Sequence, residues 1–260
     1  MITTTRIRDL SINHRILNAD AAGPTVLMLH GWGASIDLLM PLAEPLAVKG
    51  FCVHVLDLPG FGASDPPPTA WTVFDYADFA LAYLDAQRLE QVHLFGHSFG
   101  GRLGLILGAE HSERLHKMVL ADSAGLRTPP PLTTRARLTT YKALRDGLKT
   151  IGMKGFSERL RSWYNAHYGS SDFQQVSGVM RETFINVVNQ DLRGYAAQVA
   201  VPTLLLWGDQ DQDTPLTQGQ TLEKTIPDAG LVIYEGAGHY SYLDRLHDAI
   251  RVIDYFFREG

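Results

Sequence analysis

A chain of 260 residues, 45% hydrophobic and 20% charged, can bury the core of one large α/β domain, and this composition excludes a disordered or collagen-like polymer. The formal net charge of −5, with no run of Lys and Arg, excludes the electrostatic footprint of a nucleic-acid binder and leaves small molecules as the expected partners. The single cysteine, Cys52, allows no internal disulfide and reads as a buried small hydrophobe. Without an N-terminal apolar h-region or a membrane-length apolar stretch, a soluble cytoplasmic protein with no membrane span is expected.

Taken in chain order, short aliphatic and β-branched runs predict two strands at Arg6 to Leu10 and Ile12 to Leu17, placed to form an antiparallel entry hairpin. A strand at Val26 to His30 is followed by a helical pattern from Leu38 to Lys49. Phe51 to Asp57 is the next strand, then a helix from Val73 to Arg88, a strand at Val92 to Gly96 and a helix from Phe99 to Glu110. The sixth strand spans Lys117 to Asp122. From Gly125 to Val199 no strand pattern appears. Helical faces there include Tyr141, Leu144, Leu148 and Ile151, then Val176, Met180, Phe184 and Val187, after a Thr-Pro-Pro-Pro break at Thr128 to Pro131. Strands at Pro202 to Trp207 and Leu231 to Tyr234 and a helix from Tyr240 to Phe257 complete the pattern.

Near-continuous apolar strands alternating with amphipathic helices predict an α/β architecture, a mostly parallel eight-stranded sheet flanked by helices. The expected core comprises residues 1–124 and 200–260, with 125–199 inserted as a helical cap over the strand ends where such folds place ligands.

The sharpest chemical signal is Gly96-His97-Ser98-Phe99-Gly100, with an apolar strand before it and a helix after it. A serine hydroxyl is a poor nucleophile unless a base can reach it, and a tight strand-to-helix turn places it so. That turn forces strained backbone on Ser98 and brings chain segments close, so the positions two before and two after must lack bulk. Amides of the new helix, Phe99 among them, then point at charge developing near Ser98. A second Gly-rich turn, His30-Gly31-Trp32-Gly33, leaves the third strand and can present further amides to an oxyanion.

Past the later strands lie three aspartates, Asp209, Asp211 and Asp213, and one Gly-rich turn with a histidine, Gly236-Ala237-Gly238-His239. Imidazole titrates in the working range and can shuttle the proton of Ser98. The aspartates begin like a calcium loop, but Thr214 stands where the turn needs glycine and Gln220 where a bidentate glutamate belongs. The other histidines lack metal-site spacing. Asp57-Leu58-Pro59-Gly60-Phe61-Gly62 contains Gly-x-Gly but neither the third glycine nor the helix of a dinucleotide site.

Gly-His-Ser-Phe-Gly-Gly resembles the nucleophile elbow of the α/β-hydrolase superfamily, in the form carried by serine esterase-like members with a helical cap. His30-Gly31-Trp32, the turn from Asp57 to Ser64, Gly208 with Asp211 and Pro215, and Gly236-Ala237-Gly238-His239 extend the resemblance over nearly the whole chain. It implies a Ser98, Asp211 and His239 triad, with Asp122 as a weaker candidate acid and Asp209 and Asp213 as solvated loop charges. It also implies an oxyanion hole from the Trp32 and Phe99 amides, a bracing role for His30 and no cofactor or metal. The expected activity is that of a carboxylesterase acting on a small-molecule ester with a small or medium acyl group. Two alternatives stay open: hydrolysis of a carbon–carbon bond in a diketone, and a non-catalytic ligand-binding protein on the same fold. Trp163, Tyr164, Tyr168, Phe173, Met180 and Phe184 are candidates for an apolar substrate pocket.

Overall fold

The computed structural model describes residues 3–127, 132–160 and 176–259. Its centre is an eight-stranded sheet in the order β1-β2-β4-β3-β5-β6-β7-β8. The strands are β1 (Thr3–Ile7), β2 (Leu10–Leu17), β3 (Thr25–Leu29), β4 (Cys52–Leu56), β5 (Val92–His97), β6 (Leu115–Ala121), β7 (Thr203–Gly208) and β8 (Ala229–Tyr234). β1 and β2 form an antiparallel hairpin, β2 pairs antiparallel with β4, and every other pairing is parallel. The hairpin turns earlier than its sequence suggests. Arg8 takes a positive φ of 46°, so Ile7 pairs with Leu10 and the chain reverses between them.

Helices α1 (Ile36–Val48), α2 (Val73–Ala86) and α3 (Phe99–Glu110) alternate with the strands. Between β6 and β7 lie α4 (Leu132–Thr150), a helical run over 154–160, α5 (Gly178–Asn189) and α6 (Arg193–Ala196), with no strand among the described residues. α7 (Leu216–Thr225) follows β7. The C-terminal helical pattern is two helices, α8 (Ser241–Asp244) and α9 (Leu246–Arg258), broken where Arg245 adopts φ −122°, ψ 43°.

The period-2 geometry of the strands divides the core into two layers. Leu94, Met118, Leu120 and Leu205 face a layer shared with α2 and α3. Phe95, Val119, Ala121 and Leu206 face the layer built with α1 and α9. Both faces of the inner strands β4, β5 and β7 are therefore dry, and this fixes the C-terminal strand ends on which the polar residues converge. Among the described residues no helix is long and apolar enough to cross a membrane.

Candidate active site

β5 ends at His97 and α3 begins at Phe99, leaving one residue, Ser98, to reverse the chain at φ 49°, ψ −102°. A non-glycine residue in this region is strained, and the strain is held by contacts that admit no side chain on either flank. A Cβ on Gly96 would stand 2.6 Å from the Gly100 carbonyl oxygen, and one on Gly100 would collide with the Leu29 carbonyl oxygen. The Ser98 amide is tied to the Ala121 carbonyl (3.0 Å) and the Gly100 amide to the His30 carbonyl (3.1 Å).

Ser98 Oγ lies 3.0 Å from His239 Nε2, and His239 Nδ1 lies 2.9 Å from Asp211 Oδ2. Three groups spread over 141 residues thus form one hydrogen-bonded line. Asp211 Oδ1 also accepts the amides of Asp213 (2.8 Å) and Thr214 (2.9 Å), and Oδ2 accepts the Thr214 hydroxyl at 2.6 Å. Burial, the largest single effect, opposes the Asp211 charge, but the bonds from His239 and Thr214 together prevail and hold its pKa below the ordinary carboxylate value. For His239, burial favours the neutral ring. The hydrogen bond and charge of Asp211 outweigh it, so the pKa is raised.

Asp122, the weaker candidate acid, just past the end of β6, does not bond the imidazole. Its Oδ1 accepts the Gly208 amide (3.0 Å) and its Oδ2 accepts the Ser241 amide (2.9 Å) and hydroxyl (2.6 Å). One buried carboxyl therefore ties the ends of β6 and β7 to the start of α8, two residues past His239. Burial, opposed by those donors, pushes its pKa up to about 7. Asp209 is half-buried and accepts the Gly236 amide at 2.7 Å, linking the β7 and β8 turns, so it is more than a solvated charge. Asp213 is exposed. His97, whose role the sequence did not signal, is buried with Nε2 2.8 Å from the His239 carbonyl oxygen. Burial and the neighbouring His239 push its pKa down to about 3, so the neutral ring donates there and steadies the turn carrying His239.

His30 is buried on the loop after β3. Its Nε2 accepts the Leu58 amide at 2.9 Å, which leaves the proton on Nδ1 to be donated to the Gly31 carbonyl at 2.7 Å. Nε2 thereby joins this loop to the end of β4, while Nδ1 braces the loop itself. Asp57 completes that junction, accepting from Ile36 N (2.7 Å), Ala63 N (2.8 Å) and Asn13 Nδ2 (2.6 Å). The loop so held carries Trp32, whose ring packs edge-on against Phe61, Phe99 and Phe184. The Trp32 and Phe99 amides donate to no acceptor among the described residues.

A cavity of about 400 Å³ opens over Ser98 and His239, walled by Trp32, Phe99, Phe184 and Val187 and by the charged Arg102 and Asp213. Phe184 thus shares this cavity with Ser98. Met180 lines a neighbouring cavity of about 290 Å³ together with Trp32, Gly60 and Phe61. Trp163, Tyr164, Tyr168 and Phe173 lie outside the described residues. Arg102, Val187 and Ala124 also wall the main cavity. None of them carries a motif; the one signal in the sequence that could have found any of them is the i+4 spacing of Arg102 from Ser98.

The chain, with its mostly parallel sheet whose strand ends gather a strained serine, an imidazole and a carboxylate, belongs to the alpha/beta hydrolase fold family, whose model matches residues 24–175. Residues 186–260 match a second model, described as TAP-like protein. A pimeloyl-(acyl-carrier protein) methyl ester esterase from Chromobacterium violaceum is 28% identical over 249 residues, spanning 89% of this chain and 93% of that protein. A 2-hydroxymuconate semialdehyde hydrolase from Pseudomonas sp. is 27% identical over 94% of this chain and 90% of its own. Among solved structures, the enol-lactonase from Burkholderia xenovorans superimposes with a TM-score of 0.76 at 21% identity, over 99% of this chain and 100% of that one.

Proposed function

We propose that this protein is a serine hydrolase that cleaves a carboxylic ester of a small or medium acyl group through an acyl-enzyme on Ser98. The observation that carries the reading is the continuous line from Asp211 through His239 to Ser98 Oγ. Asp211 holds His239 with its proton on Nδ1, so Nε2 faces the serine as an acceptor. As Oγ attacks the ester carbonyl, its proton passes to Nε2, the carbonyl oxygen gains charge, and the undonated amides of Trp32 and Phe99 bind it. The leaving alkoxide takes the proton back from Nε2 and departs as alcohol. Water then repeats the cycle on the acyl-enzyme and releases the acid. Each well-aimed amide lowers the barrier by about 3 kcal/mol. No cofactor or metal enters this chemistry.

In this reading residues 125–199 form the cap, with α5 contributing Phe184 to the acyl wall, and the enzyme works as a soluble cytoplasmic protein. The likeness to a 2-hydroxymuconate semialdehyde hydrolase favours, as a second reading, cleavage of a carbon–carbon bond in a diketone by the same groups. Product analysis on a ring-cleavage diketone and on p-nitrophenyl esters separates the two.

The experiment that tests the main reading is reaction with a fluorophosphonate at neutral pH. One covalent adduct is expected, confined to Ser98, with ester turnover abolished in Ser98→Ala. An unlabelled Ser98, or a Ser98→Ala protein that turns over esters at the parent rate, overturns it.

A further inference from the structure

The cavity beside Ser98 contains a cation that the proton relay does not use. Arg102 stands one helical turn into α3 from Ser98, is only 8% exposed, and lines the same cavity. Removing a guanidinium from water costs several kcal/mol, and proteins offset this by pairing the charge. Here the pairing is incomplete. Nη1 donates to the Gln190 carbonyl at 2.9 Å, at the end of α5, while Nε and Nη2 have no hydrogen-bond partner among the described residues, nor does any carboxylate there form an ion pair with the group. Asp191 contributes attraction only from farther off. Burial, the larger effect, brings the pKa down to about 10, which leaves the group charged at neutral pH. Much of the surrounding wall, Trp32, Phe99, Phe184 and Val187 among it, offers a guanidinium no acceptor side chain.

Two explanations compete. As a strut fastening α3 to the end of α5, the residue uses one donor of five, and a neutral donor would serve as well. A buried, delocalised charge with one edge unused is instead suited to a ligand, because the Nε and Nη2 edge matches the two oxygens of a carboxylate. The other charged wall residue, Asp213, is exposed and clusters within 4.8 Å of the Asp211 and His239 ligand atoms, on the base's side of the cavity.

We infer that Arg102 binds a carboxylate on the acyl part of the substrate, so that the ester cleaved is the half-ester of a short dicarboxylic acid. This rests on Ser98 being the acyl acceptor. The Arg102 amide donates to the carbonyl of Ser98, the residue just before α3, at 3.3 Å, so the two stand one helical turn apart. A turn separates side chains by about 6 Å at Cβ, and the arginine stem adds to that reach, which fits an acyl chain of roughly four to six carbons between the scissile carbonyl and the guanidinium. Hydrolysis balances as half-ester plus water giving the diacid and the alcohol. The carboxylate at Arg102 stays unchanged and serves only to hold the chain along the cavity.

The test compares monomethyl glutarate and monomethyl adipate with their dimethyl esters and reads, within each protein, the ratio of kcat/KM for half-ester over diester. The parent ratio is expected to exceed about ten and to fall at least tenfold in Arg102→Met, mainly through KM. Arg102→Lys is expected to retain part of it. A ratio equal in all three proteins, whatever loss of activity they share, assigns Arg102 to the strut and overturns the inference. Calorimetry on Ser98→Ala answers independently of turnover: the half-ester should bind at least tenfold more tightly than the diester, and equal affinities overturn the inference. Selective binding without hydrolysis of any ester by the parent protein would sink the esterase reading and leave the carboxylate site standing.

Discussion

His239 has its pKa set by opposing effects, and which one prevails determines how the protein responds to pH. Burial is the larger single effect and favours the neutral ring, yet the bond and charge of Asp211, at 2.9 Å, carry the net shift above the ordinary 6.5. A general base must be neutral, so under the proposed mechanism kcat/KM rises with pH through that raised value. Asp211→Asn removes the support. The acid limb should then move to lower pH while kcat falls on the order of ten-thousand-fold, because the amide no longer fixes the tautomer or stabilises the imidazolium. Rate profiles of parent and variant check both, and a limb that stays in place assigns it to another group. Stability follows the same signs. The raised pKa of His239 makes its contribution complete below 6.5 and lost as pH rises through the folded value, whereas the lowered pKa of Asp211 makes its contribution present above 3.8 and lost as pH falls through its own folded value. The pair therefore stabilises the fold most between those limits, in weakly acidic solution.

At the scale of elements, the turn between β5 and α3 concentrates the structural demand, since Ser98 holds a positive φ while neighbouring backbones nearly touch. Gly100→Ala puts a methyl group against the Leu29 carbonyl, a backbone atom of a central strand that cannot move aside. A loss of about 1–3 kcal/mol of stability is expected, with activity falling alongside it, measured as a lowered denaturation midpoint at unchanged slope. A variant as stable as the parent would show that α3 can shift away from β3. The same steric demand made this turn readable from sequence, because only glycine fits at fixed offsets from the serine. The turn at Arg8 and the break at Arg245 carry no such mark. Neither has a glycine or proline, and each is imposed by packing, the pairing of Ile7 with Leu10 in one case and the separate seating of α8 and α9 in the other. Asp211 was singled out by resemblance among three aspartates. What distinguishes it from Asp209 is three-dimensional: Asp211 bonds His239, and Asp209 the Gly236 amide.

Across the whole molecule, the sheet brings distant strand ends together, and the alternation of apolar runs with amphipathic helices was enough to predict it. The cavity wall was less legible, because no periodicity states how the helices between β6 and β7 lie on the sheet. Their position follows from contacts such as Thr183 Oγ1 accepting the Trp71 amide at 3.0 Å, Asn186 donating to the Trp71 carbonyl, and Arg102 reaching Gln190. Phe184 is buried at this junction, its ring 5.1 Å from that of Trp32 and its edge on the cavity. Phe184→Leu trades a flat ring for a shorter side chain at a stability change of about 1 kcal/mol and widens the wall beside Ser98. If the cavity holds the acyl chain, the preferred length should move up by one or two carbons, chiefly through KM, because the ring touches the chain in ground and transition states alike. Initial rates over p-nitrophenyl esters from acetate to decanoate report the shift directly. An optimum that does not move would place the acyl chain elsewhere, with the 290 Å³ cavity beside Met180 the alternative, and Met180→Ala should then move it instead.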